Sequence, residues 1–271
     1  KLEIGHRMQK ARLDYLIRST KTSIQQDKEV LQRVAEESPD IESLVHYLAR
    51  SGCYPIYDKT DVKYFPLGED KFEALVEELQ KARKFIFMEY FIVEDGLAFG
   101  QLREILARKA AEGVDVRLMY DDFGSIGKVN LRFAGELKQQ GIKCQVFNPA
   151  VPVIKLFMNN RDHRKITVID NKIAYTGGIN LADEYANLQE RFGHWKDSAV
   201  RLEGEGAWGL AAEFMQMWKM LGRTFANEDE YYHSRYEAPE TEGYCQPFTD
   251  GPLNNPENPI EAAYLQMIDS A

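Results

Sequence analysis

The sequence predicts an α/β fold: a mixed, mostly parallel sheet flanked by helices on both faces, with a helical extension at the N-terminus. Two observations carry that class. Strand-like runs alternate with helical patterns between positions 72 and 147, an order that favours parallel strands joined by helical crossovers. The run from Phe85 to Val93 is almost continuously apolar, as a strand covered on both sides would be.

Taken in order, residues 2–34 are polar with sparse apolar positions and read as one or two helices outside the main core. Ser38-Pro39 breaks the chain, and Pro39 suits the first turn of a helix that buries Ile41, Leu44, Val45 and Leu48 and ends near Gly52. Phe72 to Ala82 is helical, with Phe72, Leu75, Val76 and Leu79 on one face. After the Phe85 to Val93 strand, a helix from Leu97 to Ala111 stops at Gly113. Val114 to Tyr120 is a strand leading to Asp121 and Asp122; Leu131 to Gln140 is a helix stopped by Gly141; Ile142 to Phe147 is again a strand. Ile166 to Ile169 and Ile173 to Thr176 read as a hairpin turning at Asn171-Lys172. The helix from Ala207 to Leu221 carries Trp208, Ala211, Phe214, Met215, Trp218 and Leu221 as a core stripe.

Residues 226–258 turn acidic and rich in Tyr and Pro, as a linker does. Ile260 to Ala271 then mirrors Phe72 to Ala82, and Gln246 to Gly251 precedes it as Tyr64 to Gly68 precedes the earlier helix. This reads as the opening of a second repeat. The expected organisation is a juxtamembrane helical segment at 1–50, a first domain at 51–225, and a linker with the start of a second repeat at 226–271.

A chain of 271 residues can bury a large core in one or two domains. With 44% hydrophobic and 28% charged residues, its composition is that of a globular protein. The three cysteines, Cys53, Cys144 and Cys245, are scattered and form no metal-ligand cluster, so reduced thiols are expected and no metal. No apolar run approaches the roughly 18 residues a membrane span needs. The net charge of −9 argues against a nucleic-acid surface. Residues 1–33 differ, with eight Lys or Arg against four acids. Such a segment either favours anionic lipid, at roughly 1 kcal/mol per charge, or is a plain solvated helix.

The chemistry concentrates between Arg161 and Asn180, in the pattern His163-x-Lys165-x4-Asp170-x6-Gly177-Gly178-x-Asn180. Alternation along a strand puts His163 and Lys165 on one face, with Asp170 at the turn. An imidazole beside an ammonium, with amides from Gly177, Gly178 and Asn180 nearby, suits a phosphate oxyanion. The imidazole can attack phosphorus or carry a proton, and Lys165 and Asn180 can hold the non-bridging oxygens. This accounts for the phosphate without a metal or other cofactor.

That string resembles the signature of the phospholipase D superfamily. With Gly-Gly at 177–178 and the following Ile-Asn-Leu-Ala-Asp-Glu-Tyr, it is similar to the bacterial cardiolipin synthases in particular. Met88 to Ile92, Tyr120 to Ile126 and His194 to Asp197 match as well. The resemblance implies transfer of a phosphatidyl group between two phosphatidylglycerols, giving cardiolipin and glycerol through a phosphohistidine. It further implies Asp170 as the carboxylate that orients the imidazole, and a bacterial membrane location facing the cytoplasm. Because the first residue is not Met, membrane-spanning segments are expected to precede the chain. Partners expected are anionic phospholipid, a membrane surface, and a second half in cis or in a homodimer; nucleic acid is not among them. The alternatives are another phosphatidyltransferase or phospholipase of the superfamily, or a catalytically incomplete membrane-binding half.

Such chemistry needs two histidines, and one full motif is present. His6, His46 and His233 lack the lysine, and His194-Trp195-Lys196 has Arg201 where the aspartate belongs, so His194 is expected to be structural. Glu89, inside an apolar strand, either lines the pocket and holds Lys165 or is satisfied structurally. Asp121 and Asp122 sit where α/β sites gather, or else cap a turn. Asp197 is expected to support a neighbour of the pocket, and Asp183 and Glu184 to cap a helix.

Overall fold

The computed structural model describes residues 26–52, 54–149, 161–225, 230–231, 241–251 and 258–270. Most of the basic N-terminal segment, Cys53 and most of the 226–258 linker therefore lie outside the described residues. The chain divides into two compact units: Lys1–Asp61 with Glu203–Ala271, and Val62–Leu202.

The first unit holds α1 (Lys28–Glu37), α2 (Pro39–Gly52), α6 (Ala207–Met220) and α7 (Pro259–Asp269). Asp27 caps α1 by accepting the N–H groups of Glu29 and Val30, the usual way to satisfy a helix start. Val30, Val34, Val45 and Ile56 form one small core, and Leu48, Tyr54 and Ala263 another. Every residue of α6 from Ala207 to Trp218 is buried, Glu213 and Gln216 included, which is more than its one stripe predicts.

The remaining elements are β1 (Thr60–Phe65), α3 (Gly68–Lys81), β2 (Phe85–Tyr90), α4 (Leu97–Ala111), β3 (Asp115–Asp121), α5 (Phe133–Gln139), β4 (Lys143–Phe147), β5 (Lys165–Ile169), β6 (Ile173–Gly177), a short 3-10 turn at Asp183–Ala186, and β7 (Ala199–Gly204). The strands make one mixed seven-stranded sheet in the order β1-β7-β6-β5-β2-β3-β4, and the α/β class read from the sequence holds. Parallel pairing joins β2 to β3 and β3 to β4. The motif hairpin enters antiparallel, β5 against both β2 and β6. Phe99, Leu102, Leu106, Phe133 and Leu137 from α4 and α5 pack with Ile86, Met88 and Leu118 in one core.

Three local differences have physical causes. Strand β1 went unseen because four of its six residues are exposed, so no buried run marks it. Helix α5 begins at Phe133 rather than Leu131 because the Asn130 side chain accepts the Arg132 N–H at 2.7 Å and holds a turn. The hairpin turns at Asp170-Asn171, each with φ 56°, one residue earlier than expected. The Lys172 N–H closes it on the Ile169 carbonyl at 3.0 Å, and Asp and Asn tolerate this left-handed backbone better than other side chains.

Candidate active site

Strand β5 is buried along its whole length, so its alternation is fixed by what each side can accept. Arg164 goes one way, to a buried cluster with Glu89 at 2.5 Å and Asp162 at 3.0 Å. His163 and Lys165 go the other. The register Tyr90↔Lys165 and Glu89↔Ile166 sends Glu89 to the side away from Lys165. Glu89 therefore does not hold Lys165. Its partner is Arg164, and pairing is what makes a fully buried carboxylate tolerable.

His163 is exposed, with its ring stacked on Phe91 at 4.7 Å between centroids. Partial burial and the neighbouring Lys165 charge lower its pKa from 6.5, opposed by Asp162. The neutral imidazole, the form that attacks phosphorus or takes a proton, is thereby favoured. Lys165 is buried and donates to the His163 carbonyl at 2.6 Å. Its ammonium lies 5.3 Å from the centre of the Phe91 ring. Burial brings its pKa down to about 8, against the pull of Asp162 and Asp197.

The glycine pair earns its place by close approach. At Gly177, with φ 147°, a Cβ would lie 2.4 Å from the Ser198 carbonyl; at Gly178 it would lie 2.0 Å from the Asp197 carboxylate. This brings Asp197, whose Oδ1 also accepts its neighbour's Ser198 N–H at 2.8 Å, into the field of Lys165. The Gly178 amide donates to Ser198 at 2.9 Å, which corrects the expectation that it faces phosphate. Asn180 is buried: its carbonyl oxygen accepts the Ile92 N–H at 2.9 Å, and its side chain hydrogen-bonds Tyr185. It thus couples the end of β2 to Tyr185 rather than opening toward solvent.

Asp170 is a correction. Its carboxylate accepts the N–H groups of Arg83, Lys84 and Phe85, each at 2.8 Å. The whole of β5 separates it from His163, a span of roughly 20 Å. It pins the start of β2 to the hairpin turn, and no carboxylate among the described residues hydrogen-bonds the imidazole. Asp170→Ala is expected to cost about 2–4 kcal/mol of stability by stranding three amides. Activity per folded molecule should stay within a few-fold of wild type. Urea unfolding beside specific activity checks this; a native midpoint with activity lost would restore a catalytic role.

Asp121 is fully buried and accepts from Phe123, Gly124 and Asp162 N–H groups, with Arg161 at 3.4 Å. Burial raises its carboxyl pKa despite these donors. It fixes the turn after β3 and the backbone just before His163, the turn role that the sequence also allows. The Asp122 backbone N–H bonds the Phe147 carbonyl, and its charge bears on Tyr120. His194 is exposed and pairs with Glu69 at 3.1 Å. Asp183 does cap a helix, though it is α4: it accepts the N–H groups of Leu97 and Ala98 at 3.0 and 2.7 Å. Glu184 instead pairs with Lys128 at 2.9 Å. Cys144 is buried and free, its thiol pushed up to about 12 by burial.

Sequence reasoning gave no role to Phe91, Asp162 and Tyr185, the wall and partners of the motif, although each lies in a stretch that carries the family resemblance. The pattern Asp162-His163-Arg164-Lys165 contained a signal for one of them, since alternation places Asp162 with Arg164. Phe91 and Tyr185 meet the site only through the fold.

A family model described as "Cardiolipin synthase, PLD-like domain" matches residues 75–218, more than half of the chain. The chain is 41% identical over its full length to an uncharacterized protein of Streptococcus mutans, of which it covers 58%. It is 32% identical over 93% of its length to a protein of Oceanobacillus iheyensis named cardiolipin synthase, of which it covers 53%. Among solved structures, NucT from Helicobacter pylori aligns at 17% identity with a TM-score of 0.45, over 60% of this chain and 96% of that one. The chain spans about half the length of the curated relatives it matches. By the family match, it belongs to the cardiolipin synthase family of phospholipase D-like domains.

Proposed function

We propose that this chain supplies one half of the active site of a phosphatidyltransferase that converts two phosphatidylglycerols into cardiolipin and glycerol. The observation that supports it is the pair His163 and Lys165 on one side of β5: an imidazole biased toward its neutral form beside a partly desolvated ammonium. One histidine nitrogen attacks the phosphorus of the first lipid. The P–O bond to its glycerol headgroup breaks, and the departing oxygen takes a proton from a second histidine. That second histidine, now neutral, removes a proton from a hydroxyl of the second phosphatidylglycerol. The oxygen so freed attacks the phosphohistidine, the N–P bond breaks, and cardiolipin leaves. His163 fills one of these two roles, and Lys165 steadies the charge on the phosphoryl oxygens.

The second histidine would come from a second motif, in cis or from another copy of the chain. The reading of 226–271 as a linker with the start of a second repeat accords with helix α7, which leaves Tyr264, Leu265 and Ile268 exposed as a further layer could cover them. The same reading sets the enzyme at the cytoplasmic side of a bacterial membrane. Among the described residues no helix is long and apolar enough to cross a membrane.

The test is lipid analysis by mass after incubating phosphatidylglycerol vesicles with the chain alone and with the intact protein. Cardiolipin from the intact protein is expected. Phosphatidic acid in its place would move the assignment to a phospholipase, and a serine lipid formed with added serine would move it to a serine transferase. Salt-sensitive vesicle binding without turnover in either sample would leave a membrane-binding half.

A further inference from the structure

Two loops border the side of the sheet that carries His163: residues 122–132 after β3, and residues 187–197 before β7. Phe91 links the first loop to the site. Its ring stacks on His163 and packs against Gly124, where a Cβ would come within 2.9 Å of it. Tyr185 and Asp197 link the second: the Tyr185 ring is 5.2 Å from Trp195, and the charge of Asp197 acts on Lys165. One carboxylate holds both loops, since Glu184 binds Lys128 at 2.9 Å and Arg191 at 3.6 Å.

Each loop turns apolar side chains outward. Phe123 and Ile126 are 53% and 59% exposed on the first, Leu188 and Phe192 56% and 73% on the second. Large apolar side chains gathered around a site mark a surface that meets something. Their neighbours give the sign of that partner. In these segments Lys128, Arg132, Arg191 and Lys196 stand against Asp122, Glu190 and Asp197, a balance of +1 on a chain whose net charge is −9; Arg132 and Lys196 are exposed, while Lys128 and Arg191 are held by Glu184. Apolar tips with cations beside them are the arrangement that enters an anionic lipid surface, the rings below the headgroups and the charges among them.

We propose that the 122–132 and 187–197 loops form a lipid-docking rim that seats the His163 side of the sheet on an anionic leaflet. The proposal rests on the reading of an anionic phospholipid as substrate, and it assigns the step before chemistry: headgroup phosphates are presented to His163 and Lys165 without a lipid leaving the membrane.

The test is flotation of residues 1–271 with phosphatidylcholine vesicles, with and without phosphatidylglycerol, and activity of the intact protein, for wild type and for the double variant Phe123→Ser, Phe192→Ser. Wild type is expected to float with the anionic vesicles, and the double variant to bind roughly tenfold more weakly or worse. Activity of the variant should fall several-fold further on vesicles than on detergent-dispersed lipid. Phe192→Ser alone repeats the test if the double variant does not fold. Tyr64→Ser, which removes an exposed aromatic from edge strand β1, is expected to float like wild type. Unchanged flotation of the rim variants overturns the proposal, and so does an equal loss in Tyr64→Ser. Normal flotation with lost assembly to a second copy would make the rim a protein interface, also against the proposal. A rim-dependent binder that makes no cardiolipin would keep the rim and discard the transfer reading. Cardiolipin synthesis with unaltered flotation of the variants would do the reverse.

Discussion

His163→Ala is expected to reduce cardiolipin formation by the intact protein roughly 10⁴-fold or more, because neither a nucleophile nor a proton carrier can be replaced by water at that position. The fold should be unaffected, since His163 is exposed and, among the described residues, its ring contact is a single stack on Phe91. Lys165→Met should cost about 10²–10³-fold, the scale for removing one group that holds developing oxyanion charge. The pH profile adds an independent check. Protonation of the imidazole below its ordinary 6.5 sets the acid limb, since burial and Lys165 both hold that proton off. Loss of the Lys165 proton at about 8 sets the alkaline limb. Lys165→Arg, whose guanidinium stays charged, should move the alkaline limb upward on whatever activity remains. Initial rates across pH for the three variants decide it. An alkaline limb that stays near 8 in Lys165→Arg would remove Lys165 from the titration, and full activity in His163→Ala would remove His163 from the reaction.

The sequence made the motif strand and its hairpin legible because both obey local rules: β-branched residues for the strand, and Asn171 for a turn with positive φ, although the turn begins one residue earlier, at Asp170. It also made His163 and Lys165 legible as a pair, since two-residue alternation alone puts them together. It misplaced Asp170, whose pattern position says nothing of the Arg83, Lys84 and Phe85 amides that claim it from the start of β2. Glu89 stayed open between two readings. Only the antiparallel register of β2 on β5 decides that it faces Arg164 rather than Lys165. Phe91, Tyr185 and the loop tips belong to segments remote in sequence, and no spacing rule joins Phe123 to Phe192. Chemistry held within one strand was readable; chemistry assembled across strands was not.

Lys71→Met is expected to stabilise the protein near pH 7 by on the order of 3–5 kcal/mol, an unusual sign for a change to a buried residue. Lys71 lies on α3 and is buried, its ammonium 3.2 Å from the Tyr90 hydroxyl and 4.8 and 5.2 Å from the centres of the Phe72 and Tyr90 rings. The Tyr90 hydroxyl bonds Thr167 in turn at 2.7 Å, and no carboxylate among the described residues contributes to the Lys71 environment. Burial alone lowers its pKa from 10.5 to about 7. Between those two values the unfolded chain keeps the proton and the folded chain releases it, so stability rises with pH across that window. Below about 7 both states are charged and the penalty is complete; above 10.5 both are neutral and it is gone. Replacing the ammonium with a thioether of similar length keeps the packing and leaves Tyr90 its bond to Thr167. The gain should therefore be largest at and below neutral pH and shrink toward pH 10, flattening the stability profile. Urea unfolding of wild type and Lys71→Met at both ends of the window measures it. A loss of stability that is the same near pH 7 and near pH 10 would mean that the aromatic contacts and the Tyr90 hydroxyl compensate the buried charge in full. A pH-dependent gain would mean that the fold carries an uncompensated cation beneath the strand that presents Lys165.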